Sequence, residues 1–142
     1  MQLLRSPDEL ARLIAANAPA GIIDASFDAI GWLTSPANFA LVDGDDLTMW
    51  EATEDWPGPL TAHVFFQSRG KRALEIARAM ISRAFDYGAT RLLGETPMTL
   101  PHAQIFARRL GFRPYGEADR PMGRVILSAL ENPNPFRTNR VA

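Results

Sequence analysis

The strongest periodicity in the chain runs from Ala73 to Phe85. Ala73, Ile76, Ala77, Met80, Ile81, Ala84 and Phe85 recur at the i, i+3, i+4, i+7 spacing of one helix face, with Glu75, Arg78, Ser82 and Arg83 elsewhere on the wheel. Gly88 follows where a left-handed cap would close that helix. A second helix is expected from Pro101, with Ala103, Phe106, Ala107 and Leu110 on one side and Gly111 as its stop. Near the start, Ser6-Pro7-Asp8-Glu9 has the form of a capping box with proline at the first helical position, and Leu10, Leu13 and Ile14 then share a stripe. Asn17 to Gly21 should end this helix, and residues 22–37 fit either a short helix or a strand.

The rest of the pattern is strand-like. Two β-rich runs within residues 38–53 flank Asp43-Gly44, a dipeptide suited to a hairpin turn. Its acidic "DGDD" lacks the ligand spacing of a calcium loop. A loop at 54–59 leads to "LTAHVFFQ", read as a strand buried on both faces around Phe65 and Phe66. "TRLLGETP" at 90–97, "FRPYGE" at 112–117 and "MGRVILSAL" at 122–130 supply three further strands. This order describes one mixed α/β (α+β) domain over residues 1–131, with a loose Pro- and Asn-rich tail at 132–142. The strand–helix–strand unit at 60–95 implies a parallel pair with a right-handed crossover.

Composition narrows the function classes. A chain of 142 residues with 46% apolar and 22% charged residues suits a single globular domain. No apolar run approaches the ~20 residues needed to span a bilayer, and the N-terminus lacks the apolar stretch of a signal peptide, so a cytoplasmic protein without membrane association is expected. Cysteine is absent, which removes thiol and disulfide chemistry. A metal site would rest on His63, His102 and carboxylates alone, and none is expected. The net charge of −1 hides a split: residues 1–62 carry two arginines against ten acids, and residues 63–142 carry thirteen bases against six. The basic half lacks the interleaved aromatics of a single-strand nucleic-acid surface.

The basic half opens with Arg69-Gly70-Lys71-Arg72 at the junction between a strand and the main helix. A helix start presents unpaired N–H groups and the positive end of its dipole, and a glycine there lets an anion approach closely. The segment therefore fits a phosphate cradle or a charged helix start without a ligand. It is not a P-loop, since Phe65 and Arg72 occupy positions that need glycine and Ser or Thr, and its single glycine excludes the dinucleotide pattern.

Taken with "RRLGFRPYGE" at 108–117, this segment resembles the GNAT acetyltransferase superfamily. In that family a strand ends in an Arg/Gln-x-x-Gly-x-Gly/Ala turn that cradles the pyrophosphate of acetyl-CoA, and a later helix ends in "LGF". The resemblance spans roughly residues 38–130, and the combined motifs look most like divergent phage- or prophage-encoded members. It implies a GNAT-like fold, with a central, mixed, mostly antiparallel sheet flanked by helices. It also implies acetyl-CoA as cosubstrate, held by Phe65, Phe66, Gln67, Arg69, Gly70, Lys71, Arg72 and Ala73, and an amine acceptor that is a small molecule or a peptide. The strands at 61–67 and 90–95 should be parallel neighbours that splay apart.

His63 is then a candidate base and Glu95 a second one, each with a plainer alternative as a packed histidine or a solvated strand end. Glu51, Glu54 and Asp55 would line the acceptor side. The chain departs from the family pattern at Arg72 and Leu74, where glycines are common, at Leu100, where asparagine is common, and at Ala107, where many members carry a tyrosine acid. These departures keep open a second identity, a non-catalytic GNAT-fold binding or assembly protein in a phage, and a homodimer also stays open.

Overall fold

A computed structural model describes residues 1–17, 27–52 and 56–134. Seven strands, β1 (Gln2–Leu4), β2 (Phe39–Asp43), β3 (Asp46–Ala52), β4 (Leu60–Phe65), β5 (Arg91–Pro97), β6 (Arg113–Arg120) and β7 (Gly123–Glu131), form one sheet in the order β1-β2-β3-β4-β5-β7-β6. Four helices flank it: α1 (Pro7–Asn17), α2 (Ala29–Thr34), α3 (Gly70–Asp86) and α4 (Pro101–Arg109). Every neighbouring pair is antiparallel except β4 and β5.

Alternation along the strands sorts the core into two layers. Leu41, Trp50, Leu60 and Leu92 pack under Ile76, Met80 and Ala84 of α3. Ala40, Leu47, Met49 and Phe65 face the other way, against Leu10, Leu13 and Ile14 of α1. The expected stripes of α1 and α3 are thus the buried ones. Helix α4 buries no residue fully, but Ala107 and Leu110 pack on the α3-side core.

The termini of these elements follow local chemistry. The Ser6 hydroxyl accepts from Glu9 N at 3.2 Å. The Glu9 carboxylate is held by Arg12 at 2.6 and 3.0 Å, so it serves an i,i+3 ion pair instead of the capping box expected from the sequence. Of the ambiguous stretch, residues 22–26 lie outside the described residues, and Ala29–Thr34 form a helix whose N-cap Asp28 accepts from Gly31 N at 3.0 Å. The hairpin turns at Gly44, φ +60°. Strand β1 has no signal in the sequence: three residues are too short for an alternation pattern, and they add to the sheet only by pairing with β2. Residue Asn132, expected to begin the tail, is buried and donates to Ala89 O at 2.9 Å; residues 135–142 and Gly21 lie outside the described residues.

The parallel pair is short. Leu60 pairs with Leu92 and Thr61 with Leu93, and there the pairing stops. Beyond it β4 stays registered with β3 as far as Phe65, and β5 with β7 as far as Pro97. The two strands therefore diverge while each keeps its outer partner, and a cleft opens in the middle of the sheet. This corrects the expectation that β4 is buried on both faces. Phe65 is buried, but Val64 is 46% exposed, because the neighbour that would cover it has splayed away.

Candidate functional site

Two features meet at the divergence of β4 and β5. The first is the turn that follows β4. Asp46, only 3% exposed at the start of β3, accepts from Gln67 N at 2.7 Å, Ser68 N at 2.9 Å and Ser68 Oγ at 2.5 Å. One buried carboxylate thus fixes the chain direction just before α3. Gly70 follows with φ +61°, a left-handed conformation that costs side-chain-bearing residues strain. A Cβ on Gly70 would meet nothing within 4 Å, so the space above the turn is open. The N-cap residue Arg69 makes no side-chain cap to α3, and among the described residues no side chain accepts from the N–H groups of the first turn. Open space, uncapped amides and the positive end of a 17-residue helix suit a phosphate group.

The residues expected to line this cradle divide by what the structure does with them. Arg69 folds its guanidinium back onto Phe66 O at 2.7 Å and Ser68 O at 3.0 Å, bracing the turn. Gln67 is committed elsewhere: its amide N–H goes to Asp46 and its side chain donates to Asn17 Oδ1 at 2.7 Å and Ala16 O at 3.2 Å. Lys71 is exposed, and Arg72 leans toward Asp43, 3.9 Å away. Ala73 and Phe65 bury their side chains. Phe66 packs edge-on to Phe106 of α4, centroids 6.2 Å apart.

The second feature lies on the α1/α2 face of the cleft. His63 of β4 and Glu51 of β3 sit there by alternation, with Nε2 3.9 Å from Oε2. The same Glu51 oxygen accepts from Trp32 Nε1 at 2.9 Å, so α2 anchors the carboxylate. Asn38 ties α2 to the end of β3 through Trp32 O and Ala52 N. The His63 side chain is 43% exposed at the cleft mouth. Burial against the cleft walls lowers its pKa below the ordinary value, opposed by the nearby Glu51 and Glu95 carboxylates. The shift favours the neutral imidazole.

Glu95 reaches the same space from β5. Arg120 at the end of β6 grips both of its oxygens, Nε to Oε1 at 2.7 Å and Nη2 to Oε2 at 3.0 Å. The Arg120 hydrogen bonds hold the Glu95 pKa below the usual carboxylate range, against a smaller opposing effect of burial. The two candidate bases are thus brought together but made unequal: one is neutral and accessible, the other is locked in an ion pair. Tyr115 is 59% exposed on β6. Glu54 and Asp55 lie outside the described residues. Among the described residues, no group of three or more His, Cys, Asp or Glu side chains is arranged to hold a metal.

Asp46, Trp32 and Arg120 carry no signal as site residues in the sequence. Asp46 lies 21 positions before Gln67, Trp32 lies 19 before Glu51, and Arg120 lies 25 after Glu95, so only strand pairing and helix placement join them.

A mixed seven-stranded sheet that splays at one parallel pair, with four flanking helices, defines a GNAT-like fold. Solved structures share it. The chain superposes on a mutant of spermidine N-acetyltransferase SpeG from Vibrio cholerae with a TM-score of 0.67 at 14% identity, covering 99% of this chain and 98% of that one. Aminoglycoside acetyltransferase AAC(6')-Ib, in complex with coenzyme A and kanamycin, matches with a TM-score of 0.65 at 15% identity over 96% of each chain. A GNAT-family acetyltransferase from Bacillus anthracis matches with a TM-score of 0.53 at 14% identity, over 67% of this chain and 66% of that one. No family model and no curated protein matches the chain. No helix among the described residues is long and apolar enough to cross a membrane.

Proposed function

We propose that this protein is an acyl-CoA-dependent N-acetyltransferase that moves an acetyl group from acetyl-CoA to an amine. The observation that carries this reading is the junction of a sheet cleft with an uncapped helix start at the open Gly70 turn. Similar folds that bind coenzyme A or take spermidine and kanamycin as partners support it. The backbone of Arg69 to Ala73 would hold the pyrophosphate, with Lys71 adding charge, and the unpaired edge of β4 near Phe65 and Phe66 would hold the thioester arm. Bound acetyl-CoA supplies the activated acyl group: a C–N bond to the acceptor forms, and the C–S bond breaks.

The chain's own residues then have separable roles. Neutral His63 takes the proton that the acceptor nitrogen loses, directly or through water. Glu51 draws the cationic amine to the cleft and favours the imidazolium that forms; Trp32 keeps it aimed. Glu95, on the far wall, has its charge compensated and its lone pairs occupied by Arg120, which makes His63 the stronger base. Backbone N–H groups of β4 left without a strand partner are suited to the thioester oxygen.

Calorimetry with acetyl-CoA and CoA, followed by thiol release with a panel of amines, tests the reading. Binding of both nucleotides and amine-dependent release of CoA are expected. Tight CoA binding without turnover by any amine would favour a non-catalytic binding or assembly protein, the reading that Leu100 and Ala107 keep open. Absence of CoA binding would overturn the cradle itself.

A further inference from the structure

The Glu95–Arg120 pair has a consequence for which amine the cleft accepts. Both members are roughly 40% exposed, with side-chain accessibilities of 38% and 44%. Exposed ion pairs add little to stability, but this one changes the charge of the cleft wall. Arg120 crosses from β6, two strands away, and closes both hydrogen bonds on a carboxylate that otherwise faces His63. Glu51, on the opposite wall, is held among the described residues only by the neutral indole of Trp32 and the imidazole.

Resting on the transferase reading above, we propose that Arg120 sets the acceptor class: by sealing Glu95 it leaves Glu51 as the uncompensated carboxylate among the described residues at this mouth, and so fits the cleft to amines with one ammonium rather than to diamines. A diamine carries its second cation a few ångströms from the reacting nitrogen. Anchored at Glu51, that second cation would meet the Arg120 guanidinium instead of an open carboxylate. The groups that face His63 are Glu51 from β3 and Glu95 from β5; behind Glu95 stand Arg120 and Tyr115 of β6, and α2 contributes no titratable side chain.

The test compares n-butylamine with 1,4-diaminobutane, by calorimetry on the CoA-loaded wild type and on Arg120→Gln and Arg120→Lys. The wild type is expected to bind the monoamine at least as tightly as the diamine. Arg120→Gln should shift the preference toward the diamine by up to roughly fivefold, the effect of one uncovered charge at a partly exposed site. It should also raise the His63 pKa read by NMR titration, because Glu95 then acts on the imidazole uncompensated. Arg120→Lys should restore both. A wild type that already favours the diamine tenfold, or an Arg120→Gln variant that moves neither the preference nor the His63 titration, overturns the proposal, as does failure of either amine to bind any variant. Binding needs no turnover, so loss of the transferase reading would show separately, as an intact preference without acetylated product.

Discussion

At the scale of single residues, two carboxylates and one imidazole illustrate how neighbours decide roles. Glu51 and Glu95 both approach His63, yet one is positioned by an indole N–H and the other neutralised by a guanidinium. The imidazole pKa is depressed in the folded protein, so the fold favours its neutral form. The contribution to stability is therefore present above the ordinary histidine pKa and lost as pH falls through the lowered folded value. His63→Gln should flatten the acid limb of the stability curve in that window, measured by urea unfolding as a function of pH. In turnover, the acid limb of kcat/KM should fall below the ordinary histidine value. Glu51→Gln should move that limb lower still, because a charge that favours the imidazolium is gone. His63→Ala should lower kcat by roughly 10²-fold or more; full activity in that variant would place the base elsewhere.

Elements supply the precision that these residues need. The turn before α3 depends on Asp46, a buried acceptor of two backbone N–H groups and one hydroxyl. Asp46→Ala strands those donors and is expected to cost about 3 kcal/mol, since each unsatisfied buried group costs roughly 1–3 kcal/mol. Denaturant unfolding measures it directly. Gly70 has a different sensitivity. A valine there would enter open space but at φ +61°, costing on the order of 1–2 kcal/mol of backbone strain. It would also put a branched side chain where the pyrophosphate is proposed to lie. Gly70→Val should therefore weaken acetyl-CoA binding at least tenfold, by roughly 1.4 kcal/mol or more, while the protein stays folded by circular dichroism. Unchanged affinity would move the ligand away from this turn.

For the molecule as a whole, the cleft exists because a continuous sheet is held from both sides. β3 grips β4 through six registered pairs and β7 grips β5 through seven, whereas β4 and β5 share two. The outer pairings and the two helix-packed cores hold the two halves of the sheet on either side of the gap. A ligand that bridges the α3 turn and the gap should then stabilise the whole domain. CoA at about 100 times its dissociation constant should add about 2.7 kcal/mol to the unfolding free energy, seen as a rise of roughly 10 °C in Tm. The rise should shrink with salt, because the phosphate contacts are screened. A salt-independent shift would indicate that apolar contacts, not the α3 turn, dominate binding.

The sequence alone determined what local physics controls. The stripes of α1 and α3, the stops at Gly88 and Gly111, the hairpin near Gly44 and the basic turn before α3 were all legible, because period, caps and turn chemistry act over a few residues. From those pieces and the two motifs, the GNAT-like fold and the divergence of the parallel pair could be expected. The tertiary structure decided what depends on distant partners. Strand register placed Glu51 beside His63, a 21-residue separation closed on Asp46, and an arginine two strands away took both oxygens of Glu95. It also exposed Val64 in a strand whose sequence reads as buried, because pairing, not propensity, determines whether a neighbouring strand is there to cover a side chain.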